Sequence, residues 1–171
     1  SLTIESGGEY DATNGTTTIT SMTTGQYGLN IKSGATFTHN DGTVSLTDAD
    51  DTLSMEISDK LYNLSLEGGT KKIRSNSTIE NKLTIVSGDL YSHNGSETLT
   101  VTGELEIQSG GSTGLTIAWT GTMTFGYLDI QSGGTYKATS GVTTMLAGST
   151  LKDDGTYTHN NGTFAVEVGT V

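Results

Sequence analysis

The chain has 171 residues, the length of one ordinary domain, and contains neither cysteine nor proline. Its formal net charge of −11 removes any general attraction to phosphate backbones or to an anionic bilayer, and no run of about eighteen apolar residues occurs, so neither nucleic-acid binding nor membrane insertion is expected. Thr, Ser and Gly supply 33, 18 and 24 residues, a small, polar composition that would suit disorder were the apolar residues not periodic.

In chain order, the first element is Leu2-Thr3-Ile4-Glu5-Ser6-Gly7, a short alternating strand followed by a glycine turn. The phrase returns at Leu29-Asn30-Ile31-Lys32-Ser33-Gly34, Leu83-Thr84-Ile85-Val86-Ser87-Gly88, Leu105-Glu106-Ile107-Gln108-Ser109-Gly110 and Leu128-Asp129-Ile130-Gln131-Ser132-Gly133. A degraded copy stands at Leu151-Lys152-Asp153-Asp154-Gly155. From Leu83 onward the spacings are 22, 23 and 23 residues, and a fixed period of this size marks a solenoid in which each repeat is one coil.

Residues 128–150 define the unit. Leu128–Ile130 is a first strand, Thr135–Ala138 a second after Ser132-Gly133-Gly134, and Val142–Leu146 a third after Thr139-Ser140-Gly141. An aromatic precedes the second corner in most copies: Tyr10 before Asn14-Gly15, Phe37 before Asp41-Gly42, Tyr91 before Asn94-Gly95, Tyr157 before Asn161-Gly162. Asn-Gly also suits two-residue hairpins, so an antiparallel all-β fold is the competing arrangement. Recurrence of the same aromatic and the same Leu-x-Ile every coil favours the solenoid. The expectation is an all-β, right-handed parallel β-helix of about seven coils with about 22–24 residues each, in a single domain over 1–171. Ile4, Ile31, Ile85, Ile107 and Ile130 are expected to form one inward column.

The period breaks in the first half. Leu2 to Leu29 is 27 residues and Leu29 to Leu83 is 54, with weaker strand candidates at Leu53–Ile57 and Leu64–Leu66. Segment 48–82 is therefore read as irregular and insertion-like, the kind of segment that carries binding loops on one face of a solenoid. It holds five of the eight basic residues, Lys60, Lys71, Lys72, Arg74 and Lys82. These read chiefly as a solvated face, with Lys71, Lys72 and Arg74 the candidates for contact with a ligand or surface glycan.

The run Phe37-Thr38-His39-Asn40-Asp41-Gly42-Thr43-Val44, followed by Leu61–Leu66 and Leu83-Thr84-Ile85, resembles repeats of large bacterial surface adhesins and of viral fibre or appendage proteins. The resemblance implies a parallel β-helix displayed outside a cell or on a virion. It transfers no catalytic residue, because its motifs are turn residues and alternating aliphatics.

His39, His93 and His159 each stand two residues after an aromatic and just before Asn, so they read as equivalent ladder positions rather than a singular acid or base. Adjacent carboxylates, Asp50/Asp51 and Asp153/Asp154, point to opposite faces in a strand and make poor acid–base couples. Asp48, Asp50 and Asp51 are the weak calcium candidates, hard oxygen donors in one short stretch; no other cofactor is expected. Threonines alternate at Thr16/Thr18/Thr20, Thr43/Ser45/Thr47, Thr98/Thr100/Thr102 and Thr122/Thr124, an array that on one flat face would suit ice binding. End coils without polar caps predict stacking on another chain or a longer polypeptide. Together these give a non-enzymatic structural or adhesive module of an extracellular, cell-surface or virion assembly. A carbohydrate-binding or polysaccharide-processing β-helix is the alternative.

Overall fold

The computed structural model describes residues 1–20, 27–47, 50–54, 60–114 and 118–167, and within 50–54 only the side chain of Leu53. These residues form strands and no helix. The first two coils each have three short strands: β1 (Leu2–Ile4), β2 (Glu9–Asp11) and β3 (Thr16–Ile19), then β4 (Tyr27–Ile31), β5 (Thr36–Thr38) and β6 (Thr43–Leu46). Afterwards short strands alternate with longer ones: β7 (Asp50–Ser54), β8 (Lys60–Leu66), β9 (Thr70–Ile73), β10 (Ser77–Ile85), β11 (Gly88–Ser92) and β12 (Leu99–Ile107). The series ends with β13 (Gly111–Thr113), β14 (Met123–Ile130), β15 (Thr135–Lys137), β16 (Val142–Asp153), β17 (Thr156–Thr158) and β18 (Thr163–Val166).

Strands of successive coils pair in parallel. One eight-stranded sheet runs β1-β4-β7-β9-β11-β13-β15-β17 and a second runs β3-β6-β8-β10-β12-β14-β16-β18, while β2 and β5 form a pair of their own. This is a parallel β-solenoid, and the hairpin arrangement is excluded. Each long sheet is eight strands deep, which differs slightly from the expected seven coils; the described residues of 48–82 contribute strands to both ladders. The longer strands bend where their register shifts, between Ile79 and Lys82, Val101 and Glu104, and Phe125 and Tyr127. Each thus covers two sides of its coil. The bend takes, from β8 on, the place of the Asn14-Gly15 and Asp41-Gly42 corners, and the limb before it continues the side that β2 and β5 hold in the first two coils.

The five Leu-x-Ile motifs all point inward, with Ile4, Ile31, Ile85, Ile107 and Ile130 buried, but they do not form one column. Ile4 stacks on Ile31, and Leu29 on Leu53 and then Ile73, along the first sheet. Ile85, Ile107 and Ile130 stack in the second sheet, on a column that begins Ile19, Leu46, Leu66 and ends at Asp153. The motif has moved by one side of the coil. The 54 residues from Leu29 to Leu83 hold two coils, marked by Leu53 and Ile73, and then two further sides. The described residues of 48–82 form ladder strands, and across them the phase of the repeat changes.

What stays constant is the turn. Gly7, Gly34, Gly88, Gly110 and Gly133, the glycines of the five Ser-Gly pairs, all have φ between 76° and 86°, as the third position of a type II turn requires. Gly8 N–H closes the first such turn on Glu5 O at 2.8 Å, and Gly111 N–H closes a later one on Gln108 O at 2.9 Å. The turns stack as two sets, Gly7 N–H on Gly34 O and, separately, Gly88 N–H on Gly110 O and Gly110 N–H on Gly133 O. One continuous apolar core runs inside the coils, each fully buried Leu or Ile contributing about 1.5–3 kcal/mol relative to exposure.

The same phase change divides other ladders expected to be single. Thr16 pairs with Thr43 and Thr18 with Ser45 on the second sheet beside β3. Thr78, Thr100, Thr124 and Thr144 form a separate column on the other limb of the long strands. No single flat threonine face results among the described residues.

Candidate functional surfaces

His39 and His159 do one structural job. In each, Nδ1 accepts the backbone N–H two residues on, from Asp41 at 3.0 Å and from Asn161 at 3.2 Å. Both donors sit at φ 58°, a left-handed conformation that Asp and Asn tolerate and a local side-chain bond supports. The histidines do not share a ladder, which corrects the expectation: His39 follows β5, whereas His93 and His159 follow β11 and β17 on the first sheet. His39 also stacks on Tyr62, ring centroids 5.5 Å apart, with Nε2 at 3.2 Å from Glu80.

The basic stretch does not form one contact face. Lys60 pairs with Glu80 at 2.8 Å. Lys71 is fully buried, its ammonium donating to Glu67 O at 2.8 Å and Gly68 O. It lies in an inward column with Leu90, Thr113, Tyr136 and Tyr157. Lys72 stands over the Tyr91 ring at 5.8 Å, and Arg74 donates to Tyr27 Oη at 2.8 Å with its guanidinium 5.4 Å from that ring. Of the three contact candidates, Lys72 and Arg74 face outward on neighbouring aromatic rings, and Lys71 serves the turn beneath it. Alternation with Ile73 carried the signal for Lys71, since residues two apart in a strand share a face.

The acids fall in different places. Asp50 and Asp51 lie on β7, where only the backbone is described, and Asp48 lies outside the described residues, so the side chains of the calcium candidates lie outside the described structure. Asp153 ends the inward column of the second sheet. Asp154 pairs with Lys152 at 2.9 Å, and Lys152 also reaches Asp129 at 3.2 Å. Outside the same sheet Lys82 bridges Glu104 at 2.8 Å and Glu106 at 3.1 Å. Glu106 further accepts from Gln108, Gln131 and Thr84. Burial raises its pKa, but the Lys82 ammonium and these donors outweigh that and hold it below the ordinary carboxyl value. Among the described residues no three metal-ligating side chains gather into a candidate metal site.

One buried carboxylate gives a pH test. Glu97 accepts from Ser92 Oγ, from Asn94 N–H at 3.1 Å and from Asn94 Nδ2 at 3.0 Å. Burial raises its pKa, yet the Ser92 and Asn94 donors prevail and lower it. A carboxyl with a depressed folded-state pKa contributes stability above its unfolded pKa, lost as pH falls through the folded value. Glu97→Gln should therefore lower Tm at neutral pH by roughly 3–10 °C, and should flatten the loss of Tm between about pH 5 and about pH 3. Thermal melts of both proteins across that range check it; parallel curves would show that Glu97 does not carry the effect.

Two concavities stand out. An open trough of about 590 Å³ lies at the bend of the long strands, lined by Asn81, Lys82, Thr102, Gly103, Glu104, Gly126 and Tyr127. Its floor is glycine because the coils touch there: a Cβ on Gly103 would lie 1.9 Å from Asn81 O, and one on Gly126 2.3 Å from Thr102 O. At the same bend Asn81 precedes these glycines, its Nδ2 donating to Asn63 Oδ1 at 2.8 Å. After them, four residues (146–149) stand where Gly126 alone stands. Two lean corners between fuller ones make the trough, and no short sequence pattern announces it.

The second concavity, about 280 Å³, is lined by Leu151, Asp153, Tyr157 and Phe164 in the last coil. Leu151, Phe164 and Val166 are 44%, 39% and 64% exposed although their columns are buried in earlier coils. In the first coil Ile4, Ala12 and Ile19 are buried, so the described residues of the two end coils differ in apolar exposure. Comparison of the chain with protein-family models, with curated proteins and with solved structures finds no match in any of the three.

Proposed function

We propose that this chain is a non-enzymatic structural and adhesive module of an extracellular, cell-surface or virion assembly. The observation that carries the reading is the pair of eight-strand parallel ladders wrapped on one continuous core. Backbone hydrogen bonds then run along the axis from coil to coil, which suits a thin rod that resists bending and extension. The adhesin and fibre resemblance supplies the setting. The exposed Leu151, Phe164 and Val166 make the last coil the surface on which a further coil from a neighbouring chain stacks, burying apolar side chains and pairing free strand edges.

Sedimentation over a range of concentrations tests this. The native protein should associate, and Phe164→Asp with Val166→Asp should return it to a monomer without loss of β-sheet signal. A native chain that stays monomeric when concentrated would overturn the stacking. Incubation with uronate-rich and neutral polysaccharides should release no reducing ends; turnover abolished by Asp154→Asn would replace the structural reading with an enzymatic one.

A further inference from the structure

We propose that the trough at the strand bend binds a neutral, hydroxyl-rich polymer, a glycan chain laid along the solenoid axis. The inference deepens the adhesive half of the proposed function and rests on it. Shape is the first argument. The trough crosses three successive coils, from Asn81 to Gly103 to Gly126, so it receives an extended chain rather than a compact ligand. Coils repeat at about 4.8 Å, close to the rise of one sugar unit in an extended glycan, so equivalent groups of ligand and protein stay nearly in step.

Charge is the second. The lining has one cation and one anion, Lys82 and Glu104, and they are paired at 2.8 Å. A polyanion would have to displace Glu104 from Lys82, and a cation the reverse. A neutral ligand displaces neither. Lining chemistry is the third: Asn81 offers an amide, Thr102 a hydroxyl, Lys82 one N–H donor beyond those to Glu104 and Glu106, Glu104 spare acceptor sites and Tyr127 a half-buried ring. Sugars present hydroxyls at their edges and C–H groups on their faces, matching polar groups around one aromatic surface. A peptide strand is disfavoured, because the residues flanking the bend already pair coil to coil on both limbs and leave no free edge to extend.

The test is titration of the 15N-labelled chain with cello-, xylo- and maltohexaose, with hexagalacturonate and an uncharged unstructured peptide as comparators. At least one neutral hexasaccharide should shift the amides of Thr102, Gly103, Gly126 and Tyr127 in a saturable manner, with hexagalacturonate and the peptide leaving them in place. Tyr127→Ala should weaken binding about two- to tenfold. Thr102→Arg, a change at an exposed position that fills the trough, should abolish binding with the spectrum otherwise retained. Absence of shifts with all three neutral hexasaccharides, stronger shifts with hexagalacturonate or the peptide, or binding indifferent to both substitutions would overturn the site. Such a failure leaves self-association and the lack of turnover as measured, so it is distinguishable from failure of the structural reading.

Discussion

Gly88→Ala should destabilise the chain by about 3 kcal/mol or more, whereas Gly148→Ala should cost about 1 kcal/mol. Both glycines have positive φ, 86° and 79°, so both substitutions meet the left-handed penalty of an L side chain. They differ in what the new Cβ meets. At Gly148 nothing lies within 4 Å, while at Gly88 the carbonyl oxygen of Gly69 is 2.0 Å away and that of Gly68 2.7 Å. Those atoms are backbone of the preceding coil and cannot rotate aside. Relief requires these two coils to part, which weakens Asp89 N–H to Gly69 O at 3.0 Å, at about 0.5–1.5 kcal/mol. Because a solenoid is held by nearest-neighbour interfaces, a defect between interior coils should also broaden or split the unfolding transition. Urea denaturation followed by far-UV circular dichroism checks both points. Equal midpoints for the two variants would show that coil contact at Gly88 is not limiting.

Trp119→Ala should cost about 3–5 kcal/mol. This is the only tryptophan in the chain, it is 1% exposed, and it joins three coils. Its Nε1–H donates to Glu97 O at 2.6 Å below, and its own carbonyl accepts Ser140 N–H at 2.8 Å and Thr139 Oγ1 at 2.9 Å above. Truncation leaves a large cavity and strands the buried Glu97 carbonyl. Trp119→Phe should fall between alanine and the native chain, keeping the ring but losing the donor. Native emission should be blue-shifted and move to the red on unfolding. Chemical denaturation monitored by circular dichroism gives the free energies, and a Trp119→Ala change below about 1 kcal/mol would mean that the side chain is not packed as described.

Local periodicity was legible in residue order, and so were the features that depend on it. Leu-x-Ile alternation put Ile85, Ile107 and Ile130 inside, and Ser-Gly placed glycine wherever the turn needs positive φ, because both are decided within five or six residues. Lys71 was legible in principle, two residues before Ile73, but a lysine beside a second lysine reads as surface until its carbonyl partners at Glu67 and Gly68 are seen. The histidines showed their turn position; the Nδ1 bond to the next-but-one amide needed coordinates. The trough was not legible, since its walls come from residues some 20 apart in sequence that meet only on stacking.

Residue order by itself determined that the chain is an all-β coil of short strands and glycine turns, with apolar residues turned inward. Only the tertiary structure decided on which side of the coil each motif lies. Stacking in register is a long-range choice, made by matching side chains of successive coils, so the motif alone does not fix the side on which it lies. Ile4 and Ile85 therefore share the local sequence Leu-Thr-Ile-x-Ser-Gly yet occupy different columns. The same choice placed Asn81, Gly103 and Gly126 in one line and left Leu151, Phe164 and Val166 exposed. Backbone geometry repeats with the motif; packing depends on what the neighbouring coil presents.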